Sequence, residues 1–285
     1  MSVSTYHIKT PAKVNIRLKI TGRRPDGFHD LISIMVPVDL TDYLELQRLH
    51  ENRIEIHTEG YDVPKDENNL AYRAARAFFD KTGIDKGLAI KLVKNIPVAA
   101  GLGGGSSDAA AILLTLNEMY SSPISQPELH LLASKIGADV PFFLYCKPTI
   151  ARGIGDVLEP IKEWPKFWYI IVTPPIKVST AWVYENFRLE LTTKEYASIF
   201  DLLKKDSFAV SRILENDLEK VTSAHFPIID TLKQMLMDTG AEGAMMSGSG
   251  PSVFGLFLSE NQAGLAKDYL LSHELGDVFI AKGWE

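Results

Sequence analysis

The chain has 285 residues, of which 46% are hydrophobic and 23% charged, a balance typical of a globular protein with a substantial core. Its 30 basic and 36 acidic side chains give a net charge of −6, which excludes a general attraction to nucleic acid or to anionic membrane surfaces. No stretch approaches the roughly 18 apolar residues of a membrane span, and residues 1–13 lack the apolar core of a secretory signal. We therefore expect a cytoplasmic protein that holds any anionic ligand by local geometry.

Alternating apolar and polar residues predict strands in the first part of the chain. Within residues 14–20 the apolar side chains share one face, and Lys13 and Asn15 project from the other. A turn built on Pro25, Asp26 and Gly27 follows, and further strands are predicted at residues 31–38, 43–49, 54–57 and 88–93. A helix is predicted over residues 70–81, ending near Gly83.

Residues 97–111, with the sequence PVAAGLGGGSSDAAA, combine four glycines and two hydroxyls with a run of helix formers. Glycines let several backbone N–H groups turn toward one ligand, and the helix that follows adds the positive end of its dipole, which favours phosphate binding. The sequence excludes a P-loop, because no lysine follows these glycines. It also excludes the dinucleotide-binding fingerprint, because Ser106 occupies the position of the third glycine of that motif. A flexible linker is the alternative, but linkers rarely run directly into an Ala/Leu-rich helix.

The remaining pattern predicts an α+β arrangement in two parts. A helix opens at Ser125 with capping-box spacing and closes at Gly137, and Cys146 lies in an apolar stretch that predicts a buried, structural thiol. This single cysteine excludes a disulfide framework. After Pro160 the pattern restarts with a strand at residues 168–172, helices at residues 194–204, 210–221 and 228–239, a glycine turn at residues 247–251 and a strand at residues 252–258.

Five segments together resemble the GHMP kinase superfamily: PAKVN at residues 11–15, GRRPDGFH at 22–29, the glycine loop at 97–111, GADVP at 137–141 and MSGSG at 246–250. In order and spacing they are similar to those members whose acceptor alcohol carries a cytidine diphosphate group and which serve non-mevalonate isoprenoid synthesis. The likeness runs from about residue 8 to residue 283. The resemblance implies a two-domain fold, with an ATP-binding domain at residues 1–158, a ferredoxin-like domain at residues 159–285, and the active site in the cleft between them.

The resemblance also implies the ligands and their sites. ATP is the expected co-substrate, Mg²⁺ the expected metal and a small alcohol the expected partner. Apart from the resemblance, the sequence pattern offers no long apolar seam for a partner chain, so we expect a monomer or weak homodimer. The implied ATP-binding residues are Pro97, Gly101, Leu102, Gly103, Gly104, Gly105, Ser106 and Ser107, with Asn69 and Asn117 near the base. The implied substrate-binding residues are Asn15, Phe28, His29, Tyr184, Gly248 and Ser249. No metal-ligand cluster is visible, and the hydroxyl of Ser107 is the one candidate that we name for Mg²⁺.

By position, Asp139 corresponds to the catalytic aspartate of the family and Lys13 to its partner lysine. Phosphoryl transfer needs a carboxylate to accept the alcohol proton, and a nearby ammonium would keep that carboxylate ionised. On the sequence alone Asp139 could equally be a solvated charge at a helix end, Lys13 the polar face of a strand, and His29 an ordinary histidine. Asp108 is expected to be a partner of the helix dipole in the first turn of its helix.

Two other functions stay open at this point. One is a kinase for a different small alcohol, such as homoserine or mevalonate, although residues 22–29 would then have no cytosine to recognise. The other is a catalytically silent ligand sensor on the same fold, which would have no use for Lys13 and Asp139 beside an acceptor alcohol.

Overall fold

The computed structural model describes residues 5–188 and 209–285, so the helix predicted at residues 194–204 lies outside the described residues. The first sheet has the strand order β3-β4-β2-β1-β8, and β5 joins it by pairing with both β2 and β6. Its strands are β1 (Thr5–Arg23), β2 (His29–Leu49), β3 (Ile54–Gly60), β4 (Gly87–Lys94), β5 (Thr149–Gly153), β6 (Val157–Pro160) and β8 (Glu215–Asn216). Strand β6 ends at Pro160, and β8, which comes after the predicted domain boundary at residue 158, also belongs to this sheet.

Four helices pack against one face of this sheet: α1 (Leu70–Thr82), α2 (Gly104–Met119), α3 (Gln126–Ile136) and α4 (Val140–Tyr145). Helix α1 begins where the side chain of Asn69 accepts the N–H of Ala71, and it ends at Gly83 in the left-handed region. Helix α3 begins with the predicted capping box between Ser125 and Glu128. Buried side chains such as Phe78, Leu113 and Phe142 form the core between the helices and the sheet.

The second sheet has the antiparallel order β11-β7-β10-β9, formed by β7 (Trp168–Thr173), β9 (Gly243–Met246), β10 (Val253–Phe257) and β11 (Asp277–Lys282). Two helices, α8 (Ile228–Asp238) and α9 (Glu260–Leu271), cover one face of it. The chain passes from β7 through helices to β9, turns into β10, and returns through α9 to β11. This connection and strand order are those of the predicted ferredoxin-like domain.

A second core joins the two sheets directly. It contains Val14 and Ile34 from the first sheet and Tyr169, Phe254 and Leu256 from the second, all fully buried. The last strand adds backbone contacts, because the N–H of Trp284 donates to the carbonyl oxygen of Pro37 at 3.0 Å. In the part of the chain that the structure describes, no helix combines the length and apolar character needed to cross a bilayer.

Two predicted element boundaries are wrong. Residues 31–49 form one continuous strand, β2, rather than the two strands predicted at residues 31–38 and 43–49. The polar residues at its centre include Asp42, which is buried and accepts hydrogen bonds from the side chain of Lys94 and the N–H groups of Asn95 and Ile96. The residues between the two predicted strands therefore continue the strand, because the Asp42 carboxylate is partnered inside the fold.

The helix predicted at residues 210–221 is also broken in the structure. It consists of α6 (Val210–Ile213), the short strand β8, and α7 (Glu219–His225). The break occurs because β8 pairs with Arg17 and Leu18 of β1, and because the Asn216 amide donates to the carbonyl oxygens of Met246 and Gly248, both at 2.8 Å. Helix α5 (Thr180–Asn186), which the sequence analysis did not predict, carries Tyr184.

Candidate active site

A cavity of about 500 Å³ lies between the two parts of the molecule. It is lined by the first sheet, the glycine loop, helix α5 and the second glycine turn, so most of the predicted site residues meet there although they are far apart in sequence. The predicted residues among its lining are Lys13, Asn15, Asn69, Pro97, Gly101, Gly103, Gly104, Gly105, Ser106, Asp139, Tyr184, Gly248 and Ser249.

The glycine loop crosses one side of this cavity and leads into α2, which begins at Gly104. Gly101 and Gly103 have φ values of +78° and +70°, and Ala99 is held at +52°. Gly101 is required by a close approach as well, since a Cβ there would lie 2.0 Å from the carbonyl oxygen of Ser247. The N-terminal turn of α2 therefore faces the cavity with its free N–H groups, an arrangement that suits an anion.

Lys13 and Asp139 come together at the edge of this loop. The Nζ of Lys13 lies 3.5 Å from Oδ2 of Asp139, with the lysine 4% exposed and the carboxylate 35% exposed to the cavity. Asp139 stands between the end of α3 and the first residue of α4, so its position beyond a helix end is confirmed. The buried ammonium group thus lies beside a carboxylate that a ligand in the cavity can still reach.

A hydrogen-bond network fixes Lys13 from behind. Its ammonium group donates to Oδ1 of Asn15, whose Nδ2 donates to the hydroxyl of Ser33 at 2.9 Å. Ser33 in turn donates to the carbonyl oxygen of Arg17 at 2.7 Å. Asn15, only 3% exposed, therefore orients Lys13 from the side of β1 while still lining the cavity.

The hydroxyl of Ser247 ties the second glycine turn to both β1 and the glycine loop. It accepts the N–H of Asn15 at 3.2 Å and donates to the carbonyl oxygen of Gly101 at 2.9 Å. Beside it, the N–H of Ser252 donates to the carbonyl oxygen of Ala100 at 3.2 Å. Gly248 and Ser249, which follow Ser247, line the cavity beside the loop, and a Cβ on Gly248 would lie 3.4 Å from the carbonyl oxygen of Gly101.

His29 and Tyr184 form an aromatic corner at the margin of the cavity, where Tyr184 belongs to the lining and His29 lies just outside it. Their rings stack with centroids 5.4 Å apart and an interplanar angle of 30°. Burial and the charge of Arg23 lower the pKa of His29, so the ring is neutral at neutral pH and offers one donor and one acceptor nitrogen. Burial and the charge of Asp139 raise the pKa of Tyr184 to about 12. Phe28 is 59% exposed and lies outside the cavity lining, in the turn that leads to His29.

Besides Phe28 and His29, three predicted residues lie outside the cavity lining. Leu102 and Ser107 are buried and do not line the cavity, whereas the neighbouring Ser106 does. Asn117 is at the far end of α2, where its amide donates to the carbonyl oxygen of Ile124 and accepts the N–H of the same residue, both at 3.0 Å. Its polar groups hold a loop, and its predicted place near the base is corrected accordingly.

Asp108 has a structural role different from the predicted one. It lies in the second turn of α2, where it accepts hydrogen bonds from Lys94 at 2.8 Å and from the hydroxyl of Thr10 at 2.7 Å. Lys94 also pairs with Asp42, whose pKa burial and the charge of Asp108 raise to about 6. This buried cluster lies under the glycine loop. Sequence reasoning missed it because its members come from four separate elements.

Comparison with known proteins agrees with this geometry. Residues 69–147 match the family described as GHMP kinases N terminal domain, and residues 199–274 match GHMP kinases C terminal. The homoserine kinase of Cytophaga hutchinsonii shares the fold, with a TM-score of 0.74 at 20% identity over 97% of this chain and 94% of that one. Fold and cavity together define a GHMP kinase.

Within that class, more similar relatives share one name. Proteins named 4-diphosphocytidyl-2-C-methyl-D-erythritol kinase from Syntrophotalea carbinolica and Geobacter metallireducens are each 46% identical to this chain, over 92% and 90% of its length and 93% and 90% of theirs. A crystal structure of 4-(cytidine 5'-diphospho)-2C-methyl-D-erythritol kinase has a TM-score of 0.83 and 34% identity, covering 98% of this chain and all of that one. The chain belongs to the 4-diphosphocytidyl-2-C-methyl-D-erythritol kinase family.

Proposed function

We propose that this chain transfers the γ-phosphoryl group of ATP to the 2-hydroxyl of 4-diphosphocytidyl-2-C-methyl-D-erythritol, giving the 2-phosphate and ADP in non-mevalonate isoprenoid synthesis. The observation that carries the proposal is the Lys13–Asp139 pair, 3.5 Å apart, at the junction of the glycine loop and the rest of the cavity. The relatives named above support the choice of alcohol.

ATP fits the side of the cavity formed by the glycine loop. Its phosphates would accept hydrogen bonds from backbone N–H groups of the loop and of the first turn of α2, where the helix dipole favours negative charge. Asn69 lines the cavity at the start of α1, although its side chain already caps that helix and donates to the carbonyl oxygen of Pro64 at 2.8 Å. We assign Asn69 to the wall of the base pocket.

Asp139 is the proposed general base and Lys13 its electrostatic partner. The carboxylate takes the proton of the 2-hydroxyl as that oxygen bonds to the γ-phosphorus, and the bond from the phosphorus to the β,γ-bridging oxygen breaks to release ADP. Lys13 faces the charge that spreads over the transferring group, and its low exposure strengthens this effect because little water screens its charge.

The cytidine end of the alcohol fits the aromatic corner. The neutral ring of His29 can donate to and accept from the edge of a cytosine, and Tyr184 holds that ring in place by stacking. Phe28, exposed beside it, offers a face on which the base can stack. We place the pyrophosphate of the alcohol near Gly248 and Ser249, which line the cavity between the two ends.

Mg²⁺ would accompany ATP and neutralise charge on its phosphates. Among the described residues no group of three or more His, Cys, Asp or Glu could hold a metal alone. The cavity does offer the hydroxyl of Ser106 and the carboxylate of Asp139, hard oxygen donors that suit an ion held mainly by phosphates and water. We further propose a cytoplasmic enzyme that is a monomer or weak homodimer.

An assay of ADP release tests the proposal directly. The purified chain, with ATP and Mg²⁺, is given 4-diphosphocytidyl-2-C-methyl-D-erythritol, homoserine or mevalonate in separate reactions. We expect turnover with the first alcohol alone, and phosphorus NMR of the product should place the new phosphate on the 2-hydroxyl. Turnover with another alcohol would reassign the substrate, and tight binding of the first alcohol without any ADP release would indicate a sensor.

A further inference from the structure

The turn of residues 153–156, between β5 and β6, forms part of the cavity wall beside the proposed general base. Ile154 and Gly155 line the cavity, as do Ala138 and Asp139. The two segments are in contact, because a Cβ built on Gly155 would lie 4.0 Å from the carbonyl oxygen of Ala138. A movement of this turn would therefore change the shape of the cavity next to Asp139.

Hydrogen bonds within the turn fix its shape. The N–H of Gly155 donates to the carbonyl oxygen of Arg152 at 3.1 Å, and the N–H of Ile154 donates to Oδ1 of Asp156 at 3.3 Å. These bonds set the conformation of the turn, but they do not set its distance from helix α3 or from Asp139.

Behind the turn lies a second cavity of about 380 Å³, lined by Asp156 and Val157 on the turn side and by His130 and Tyr145 on the helix side. The turn therefore separates the two cavities. On the side of the second cavity, closely packed side chains do not hold the turn in place. His130, on α3, reaches across: its Nε2 lies 3.1 Å from the carbonyl oxygen of Asp156. A carbonyl oxygen only accepts, so Nε2 carries the proton and donates.

Within the part of the chain that the structure describes, the His130 ring makes one hydrogen bond, the one to Asp156. Its other nitrogen, the buried Nδ1, has no partner there. The ends of the turn stay fixed in the sheet, where Arg152 pairs with Val157 and Gly153 with Leu31. Removing the imidazole would therefore free only residues 154–156 from α3, without leaving a second group of the helix unpaired. This makes His130 suitable for testing what the bond does.

We propose that His130 is a positioning residue, which holds the turn of residues 153–156 against the cavity and so sets the fit of the alcohol substrate beside Asp139. The inference rests on the proposed function for the identity of that alcohol. His130 does not touch the reacting atoms, and its effect passes through the carbonyl oxygen of Asp156 to Ile154 and Gly155.

The test compares His130→Leu, which removes the donor and keeps the bulk, with His130→Gln, whose side-chain amide can restore it. Losing one hydrogen bond should raise the KM for the alcohol roughly 3- to 10-fold. The KM for ATP and the turnover rate at saturation should stay within about twofold. His130→Gln should recover most of the loss, and Leu131→Gln, at a neighbouring position that is 63% exposed, is the matched control.

An unchanged KM for the alcohol in folded His130→Leu would overturn the inference. So would a parallel rise in both KM values with a lowered Tm, which would indicate a general structural role, or a failure of His130→Gln to recover. If His130→Leu does not fold, NMR of the wild-type protein with ¹⁵N-labelled histidine provides the test. Nε2 of His130 should carry a proton, and its signal should shift when the alcohol binds but not when ATP binds. Any other result overturns the inference. Absence of ADP release by the wild type would instead reject the proposed function.

Discussion

At the scale of single residues, the pairing of Asp139 with Lys13 is the feature that most directly predicts kinetics. Asp139→Asn keeps the shape of the side chain but cannot take a proton, so turnover should fall roughly 10²- to 10⁴-fold while both substrates still bind. Lys13→Met removes the buried charge 3.5 Å from the carboxylate and should cost a comparable amount. The double variant should be little worse than the worse single variant, because residues that act as a unit are strongly non-additive.

Calorimetry with each substrate and single-turnover rates check this prediction. Near-normal single-turnover phosphorylation by Asp139→Asn would mean that the aspartate is a helix-end charge and that no base is needed there. A loss of alcohol binding without a change in the rate of the bound complex would assign Asp139 to recognition alone.

The glycine loop predicts a contrast between two adjacent residues. A Cβ on Gly104 would lie 2.8 Å from Nζ of Lys94 and 2.9 Å from Ile96, whereas one on Gly105 would meet only Leu70, at 3.5 Å. Gly104→Val should therefore lower the Tm, while Gly105→Val should fold normally and raise the KM for ATP, because its side chain occupies the surface that the phosphates approach. Thermal unfolding and ATP kinetics of the two variants decide, and a normal KM for ATP in Gly105→Val would contradict the phosphate assignment.

Residue identity predicted the site best where the chemistry demands particular types. Lys13, Asp139 and most of the glycine loop do line one cavity. Asn117 failed because an amide satisfies a loop backbone as readily as a base, and nothing in the sequence tells these uses apart. Ser106 and Ser107 were both named, but which hydroxyl faces the cavity depends on where α2 begins.

At the scale of elements, the capping box of α3 predicts a pH dependence of stability. Glu128 accepts from Lys81 at 3.0 Å and from the hydroxyl of Ser125 at 2.8 Å, and these two partners lower its pKa to about 2. Because the folded pKa lies below the ordinary value of 4.5, the carboxylate stabilises the protein above that value and loses this effect as the pH falls toward 2. Glu128→Gln should therefore lower the Tm at neutral pH.

The difference in Tm between wild type and Glu128→Gln should shrink as the pH is lowered from 4.5 toward 2. Circular dichroism melts across that range measure it. A difference that stays constant with pH would mean that the charge on Glu128 contributes nothing and that its hydrogen bonds alone matter.

Helices and strands were predictable where the residues at their ends determine their bounds without help from distant parts of the chain. The caps at Asn69, Gly83 and Ser125 mark helix ends that depend on nearby residues only. The strand β8 gave no such signal, because Glu215 and Asn216 form it by pairing with β1 from about two hundred residues away. Likewise, β2 continues through Asp42 only because Lys94, on another strand, accompanies that carboxylate into the core.

At the scale of the whole molecule, the two sheets share a core. The active-site cavity lies where the first sheet and the glycine loop meet α5 and the second glycine turn. Val14 and Ile34 pack in the same buried cluster as Tyr169 and Phe254. Ser247 adds a hydrogen-bonded bridge between the glycine loop and β1. Neither part can unfold without exposing the apolar side chains that the other part contributes to this cluster. We therefore predict that both parts unfold in a single cooperative transition.

The chain carries its own reporters for this test. All four tryptophans lie at or after residue 164, so their fluorescence reports on the second part. Cys146 is the single cysteine and lies in the first part, where it is half-buried rather than fully buried as predicted. Desolvation still raises the pKa of its thiol to about 12, which slows its reaction with thiol reagents until the fold opens.

Urea unfolding followed by tryptophan fluorescence and by labelling of Cys146 should give the same midpoint, and saturating ATP should raise both midpoints equally. Ser247→Ala removes the bridge and should lower both together, by an amount typical of lost hydrogen bonds, about 1 to 3 kcal/mol. Separate midpoints, or a response of only one reporter to ATP, would show that the halves fold independently and that the cavity between them is assembled only after each has folded.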